Sequence, residues 1–182
     1  MTLLPHQDLY SEILPGLWQG GTHDFDTLEF PKEYPIWKSE KQFDSVVTLY
    51  AIAHPVGWAI SERRYGFPDS ALSEKDIPEI HSLVDWIYDE WKSGKKVLVR
   101  CQAGLNRSGI CVALTLMKDG YKAKDAIDLI RARRSPHALC NADFVRYLVE
   151  MSPIEHSSAK SGGDSTVSRK HRSLLTNENY TT

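Results

Sequence analysis

The chain has 182 residues, 41% of them apolar, which is enough for one domain with a hydrophobic core. Its formal net charge of −2 gives no overall attraction to nucleic acid or to an anionic membrane. No apolar run has the length of a membrane-spanning helix, residues 1–14 lack a signal-peptide pattern, and three cysteines are too few for a disulfide framework, so a monomeric chain in a reducing cytoplasm is expected.

In chain order, Leu17–Gln19 is a short strand candidate, and Thr22–Gln42, with two prolines and many charges, is expected to be a long excursion. Ser45–Tyr50 is β-branched and apolar and predicts a buried strand, with a weaker candidate at Arg63–Tyr65. Asp76, with Pro78 in the following turn and Glu79 three residues on, predicts a capped helix start. Ile77, Ile80, Val84, Ile87 and Trp91 then recur at helical spacing, and Gly94 ends the run. Lys96–Arg100 predicts a second buried strand. A helix is expected from Arg107 to Asp119, stopped by Gly120 and apolar nearly all round at Ile110–Leu114, as befits a central buried helix. Further helices fit Ala123–Arg133 and, capped by Asn141, Ala142–Met151.

Strands alternating with helices define an α/β fold, with a central, mostly parallel twisted sheet flanked by helices. The expected domain spans residues 1–152. From 153 to 182 the chain is rich in Ser, Thr, Gly and Asn and reads as a flexible polar tail. The Arg169–Arg172 basic run within it reads as solvated.

The chemistry concentrates at Val97–Gly109, a strand, a short loop and a helix start. Backbone N–H groups in Cys101, Gln102, Ala103, Gly104, Leu105, Asn106 and Arg107 can turn inward as an anion-binding nest, with the positive end of the helix dipole behind them. Gly104 permits the backbone turn, and Arg107 can offer two parallel donors to two phosphate oxygens. The same positive field favours a thiolate at Cys101, a nucleophile at neutral pH. Cys111 falls in the apolar helix and reads as a small core residue. No Cys-x-x-Cys or paired histidine spacing marks a metal site, and no cofactor is implied.

Cys101-x5-Arg107-Ser108 after a strand resembles the signature of the cysteine-based protein phosphatases, the dual-specificity group in particular. Ile13–Gly21 resembles that group's opening strand and turn, and Arg131-x-x-Arg134 followed by Asn141-x-x-Phe144 resembles its C-terminal segment. The resemblance implies hydrolysis of phosphotyrosine, with phosphoserine and phosphothreonine as further substrates, through a cysteinyl-phosphate. It implies that Cys101, Arg107, Ser108 and a general acid are catalytic. Asp69, in Gly66-Phe67-Pro68-Asp69 ahead of the capped helix, matches the acid's place, and Ser108 matches the hydroxyl that eases the sulfur's departure. The family usually has histidine immediately before the nucleophile; Arg100 stands there in this chain.

Three alternatives stand beside this reading. Leu105-Asn106-Arg107-Ser108-Gly109 is similar to the loop of RNA 5′-triphosphatases of the same superfamily, though the chain lacks a basic excess. Another non-protein phosphoester is a second substrate class, but the loop interior has no lysine to favour a highly phosphorylated head group. A catalytically silent phosphate-binding module is the third, motivated by Arg100 and opposed by intact Cys101, Arg107, Ser108 and Asp69.

Overall fold

A computed structural model describes residues 9–22 and 42–152; residues 23–41 of the excursion and the expected tail, 153–182, lie outside them. The chain opens with β1 (Tyr10–Leu14) and β2 (Leu17–Gly20), an antiparallel hairpin turning at Pro15-Gly16. Gly16 has φ 82°, and its N–H donates to Glu12 Oε1 at 2.9 Å, so side chain and turn support each other. Next come β3 (Ser45–Thr48), β4 (Ser61–Arg64), α1 (Asp76–Lys92), β5 (Val97–Arg100), α2 (Arg107–Lys118), α3 (Ala123–Arg133) and α4 (Ala142–Met151).

The five strands run in the order β1-β2-β5-β3-β4. All neighbours are parallel except β1 and β2, so the antiparallel hairpin forms one edge. In register, Gly20 and Thr48 both face Arg100. The chain therefore leaves the middle of the sheet at Cys101 with a strand end on either side, the place where open α/β sheets seat their ligands.

Every residue of β3 and β5 is buried, as central parallel strands require. Alternation along the strands splits their side chains between two cores. Val47, Val97 and Val99 join residues of all four described helices in the larger one. Val46 and Leu98 join Phe43 on the other face, under Tyr10, Trp18, Val56 and Ile60. α2 is the hub of the larger core, with an unbroken buried run from Ser108 to Leu116. Ile110, Val112 and Leu116 are wholly inaccessible. Burying side chains of that size stabilises by about 1.5–3 kcal/mol apiece, which is what seats the N-terminus of α2 against the sheet.

One local expectation is corrected. Asp76 does not cap α1: the carboxylate turns back to accept from the Ser73 N–H at 3.2 Å and the Ser73 hydroxyl at 2.5 Å, and across to accept from the Tyr65 hydroxyl at 2.8 Å. The carboxylate therefore braces the turn before α1, whose N-terminus at Lys75 has no side-chain cap.

Candidate active site

The loop from Cys101 to Asn106 is held open from outside. Its carbonyls are drawn outward one after another: Gln102 O accepts from Thr22 N at 2.9 Å, Ala103 O from Arg134 Nη2 at 3.4 Å, and Gly104 O from Arg134 Nε and Gln19 Nε2, both at 3.1 Å. Leu105 O accepts from Leu139 N at 3.3 Å and Gln19 Nε2 at 3.4 Å. Turning the carbonyls out turns the N–H groups in. Among the described residues the Gln102, Ala103, Leu105 and Asn106 N–H groups have no protein acceptor. That leaves a ring of donors of the kind that binds an oxyanion. Gln19 and Arg134, both buried, are the members of this frame whose roles the sequence did not disclose. The Arg131-x-x-Arg134 pattern was visible, but the contact of Arg134 with the loop arises only in the folded chain.

Cys101 lies at the base of the ring, 2% exposed, its N–H bound to Gly20 O at 3.1 Å. Gly104 N donates to its Sγ at 3.3 Å, and Ser108 Oγ lies 3.4 Å from the same sulfur. Both neighbours can stabilise negative charge on sulfur. Gly104 has φ 71°, the left-handed turn expected of it. Cys111 is fully buried in α2, where desolvation pushes its thiol well above the usual range, a core cysteine as expected.

Arg107 is the first residue of α2. Its guanidinium crosses the mouth of the ring: Nη1 donates to Leu49 O at 3.4 Å and Phe67 O at 3.5 Å, Nη2 to Gln102 Oε1 at 3.4 Å, and Cζ lies 5.4 Å from the Tyr50 ring centre. These contacts are long, and Nε is buried with no partner among the described residues. A buried unpaired donor is costly in a finished structure and is at home where a ligand supplies the acceptor.

Asp69 is brought to the same rim. Its Oδ2 accepts from Asn106 Nδ2 at 3.0 Å and its Oδ1 from Asn141 Nδ2 at 2.8 Å. The sequence marks Asn141 as the cap of α4 and as part of the Asn141-x-x-Phe144 pattern, and its bond to Asp69 arises only in the folded chain. Cys140, exposed, lies beside Asn106 at 3.4 Å, and all three cysteines are free.

Arg100, where the resembling family has histidine, is wholly buried. Nε donates to Thr48 Oγ1 at 2.9 Å, Nη2 donates to His54 O at 2.6 Å, and Nη2 lies 3.6 Å from Glu62 Oε1. Its backbone O accepts from Leu49 N at 2.8 Å, so the residue joins β5 to the segment that carries Leu49 and Tyr50 beside Arg107.

A buried cysteine opening a strand–loop–helix cradle, closed by an arginine six residues on, defines the class of cysteine-based phosphatase folds. Residues 59–153 match the dual specificity phosphatase catalytic domain, and the chain belongs to that family. Among curated relatives, the protein tyrosine phosphatase type IVA 3 of Bos taurus is 33% identical over 106 residues, 47% of this chain and 58% of that protein. The chain spans 53–66% of the length of the first curated relatives it matches. In fold it is similar to the human tyrosine phosphatase-like serine/threonine/tyrosine-interacting protein, with TM-score 0.62 at 24% identity over 78% of this chain and 93% of that one. It is also similar to Tk-PTP in its active form, with TM-score 0.60 at 22% identity over 79% and 98%.

Proposed function

We propose that this chain hydrolyses phosphate monoesters on proteins, phosphotyrosine first and phosphoserine or phosphothreonine as well, through a covalent intermediate on Cys101. The observation that carries the reading is the Cys101 sulfur set beneath unpaired loop N–H groups and beside Ser108, with Arg107 across the mouth.

The phosphate dianion sits in the ring, its non-bridging oxygens taking the loop N–H groups and the Arg107 guanidinium. The Cys101 thiolate attacks phosphorus. The S–P bond forms as the bond to the leaving oxygen breaks, and protonated Asp69 gives its proton to that oxygen. In the second step water loses a proton to the Asp69 carboxylate and attacks phosphorus. The S–P bond breaks with the electron pair returning to sulfur, and Ser108 steadies the departing thiolate. No cofactor enters either step.

Purified protein is expected to hydrolyse a small aryl phosphate without added metal, with Cys101→Ser abolishing turnover and Asp69→Asn slowing it about 10²-fold or more with poor leaving groups. Turnover that survives Cys101→Ser excludes the mechanism. Two features favour a protein substrate over triphosphate-ended RNA: the −2 net charge, and an acid candidate tied to the loop through Asn106. No helix among the described residues is long and apolar enough to cross a membrane. With free cysteines, the proposed setting is a monomer in the cytoplasm.

A further inference from the structure

Two asparagines at two helix starts meet on one carboxylate. Asn141 is the N-cap of α4, and its Oδ1 accepts from Asp143 N at 3.0 Å and Phe144 N at 3.3 Å. Those backbone donors fix which end of the amide is oxygen, so the end facing Asp69 is Nδ2, a donor. Asn106 occupies the same position before α2 but makes no side-chain cap bond. Its Oδ1 accepts instead from Asn141 N at 3.2 Å, which fixes that amide too and turns Nδ2 to Asp69. Each oxygen of Asp69 therefore has one amide donor, one from the phosphate loop and one from the α4 cap.

We infer that Asn141 is a positioning residue for Asp69: one atom of its amide caps α4 and the other aims the general acid at the leaving group. This rests on the reading of Asp69 as the acid given above. Asp69 is on an exposed turn, where an untethered carboxyl samples several rotamers. Two fixed donors select the rotamer at the loop's rim. A protonated carboxyl retains acceptor capacity on both oxygens, so the clamp serves the proton-donating and the proton-accepting step alike. Leaving Asn106 out of the α2 cap has a second consequence: the first N–H groups of α2 stay unoccupied by a side chain and remain available to the anion.

The cap and the clamp can be separated. Serine and aspartate cap helices about as well as asparagine, but neither can donate to Asp69 as the amide does. Asn141→Ser and Asn141→Asp are expected to melt at the wild-type temperature. On alkyl phosphates kcat should fall about tenfold with KM unchanged, less than the roughly 10²-fold cost of misplacing a catalytic group by an ångström, because Asn106 still holds the other oxygen of Asp69. On a nitrophenyl phosphate, whose leaving group needs little proton help, the fall should be slight, and aspartate should be worse than serine because it sets like charges together. Wild-type dependence on leaving group in both variants, or an equal loss on every substrate, overturns the inference while leaving the proposed function intact. Wild-type protein without Cys101-dependent turnover overturns both.

Discussion

Replacing Gly104 with alanine tests whether the loop's shape is imposed by the neighbouring strand. The residue has φ +71°, and a Cβ there would lie 2.3 Å from Gly20 C and 2.4 Å from Gly21 N. Both atoms are backbone, so no side chain can swing aside. The left-handed conformation costs an L-residue about 1–2 kcal/mol. Relieving the overlap moves the loop by about 1 Å, and overpacking of that kind costs about 1–3 kcal/mol. Together these amount to about 2–5 kcal/mol, a large share of the roughly 5–15 kcal/mol that holds a domain folded. The same shift pulls the Gly104 N–H away from the Cys101 sulfur it meets at 3.3 Å, and kcat/KM should fall by about 10². Gly94 is the control: it has φ +88° with nothing within 4 Å of its would-be Cβ. Gly94→Ala should cost only the conformational part, about 1–2 kcal/mol, and leave turnover alone. Urea unfolding followed by tryptophan fluorescence, with kcat/KM on an aryl phosphate, reads both variants. A Gly104→Ala protein as stable and active as wild type, or one no worse than Gly94→Ala, refutes the reasoning.

Other outcomes follow from the same contacts. Hydrogen bonds from the Ser73 and Tyr65 side chains hold the Asp76 carboxyl below its ordinary 3.8 despite burial, so its stabilisation is complete above that pH and is lost as pH falls through the lower folded value. Asp76→Asn should therefore be less stable than wild type at pH 7, with the difference closing in acid below pH 3.8, as urea midpoints against pH will show. Arg100→Met should destabilise by about 3 kcal/mol, the low end of the cost of breaking a buried ion pair, because Arg64 still pairs with Glu62 at 2.9 Å. Iodoacetamide on the native protein should label exposed Cys140, leave Cys111 untouched until unfolding, and label Cys101 more slowly when inorganic phosphate is present.

Where a structural signal was local, the sequence carried it. α3 and α4 begin and end where their periodicity and the Asn141 cap placed them, and Gly94 and Gly120 both adopt positive φ after the helices they end. The strand expected through Tyr50 stops at Thr48: Leu49 N still bonds to Arg100 O, but Leu49 O and the Tyr50 ring turn to Arg107 instead of continuing the ladder. β1 has no strand signal of its own in the sequence: it is an edge, with Ser11 half-buried, Glu12 exposed and its pairing broken by an irregularity, so it carries little apolar alternation. The Asp76 signature misled because Ser73, three residues earlier, supplies the partner. At the site, Cys101, Gly104, Arg107 and Ser108 were legible because one short segment carries them all. Gln19, Arg134 and Asn141 were not, since their bonds to the loop and to Asp69 span from 72 to 85 positions for Asn141 and Gln19 and 30 for Arg134, separations at which no local pattern survives.

The covalent step can be caught in a single experiment: mix the Asp69→Asn protein with excess aryl phosphate, quench in acid within milliseconds, and read the Cys101 peptide by mass spectrometry. That peptide should carry one phosphoryl group, lost on longer incubation after substrate is exhausted and absent from Cys101→Ser. Turnover with Cys101 unmodified at every time point, or a phosphoryl group found on another residue, would contradict attack by this sulfur.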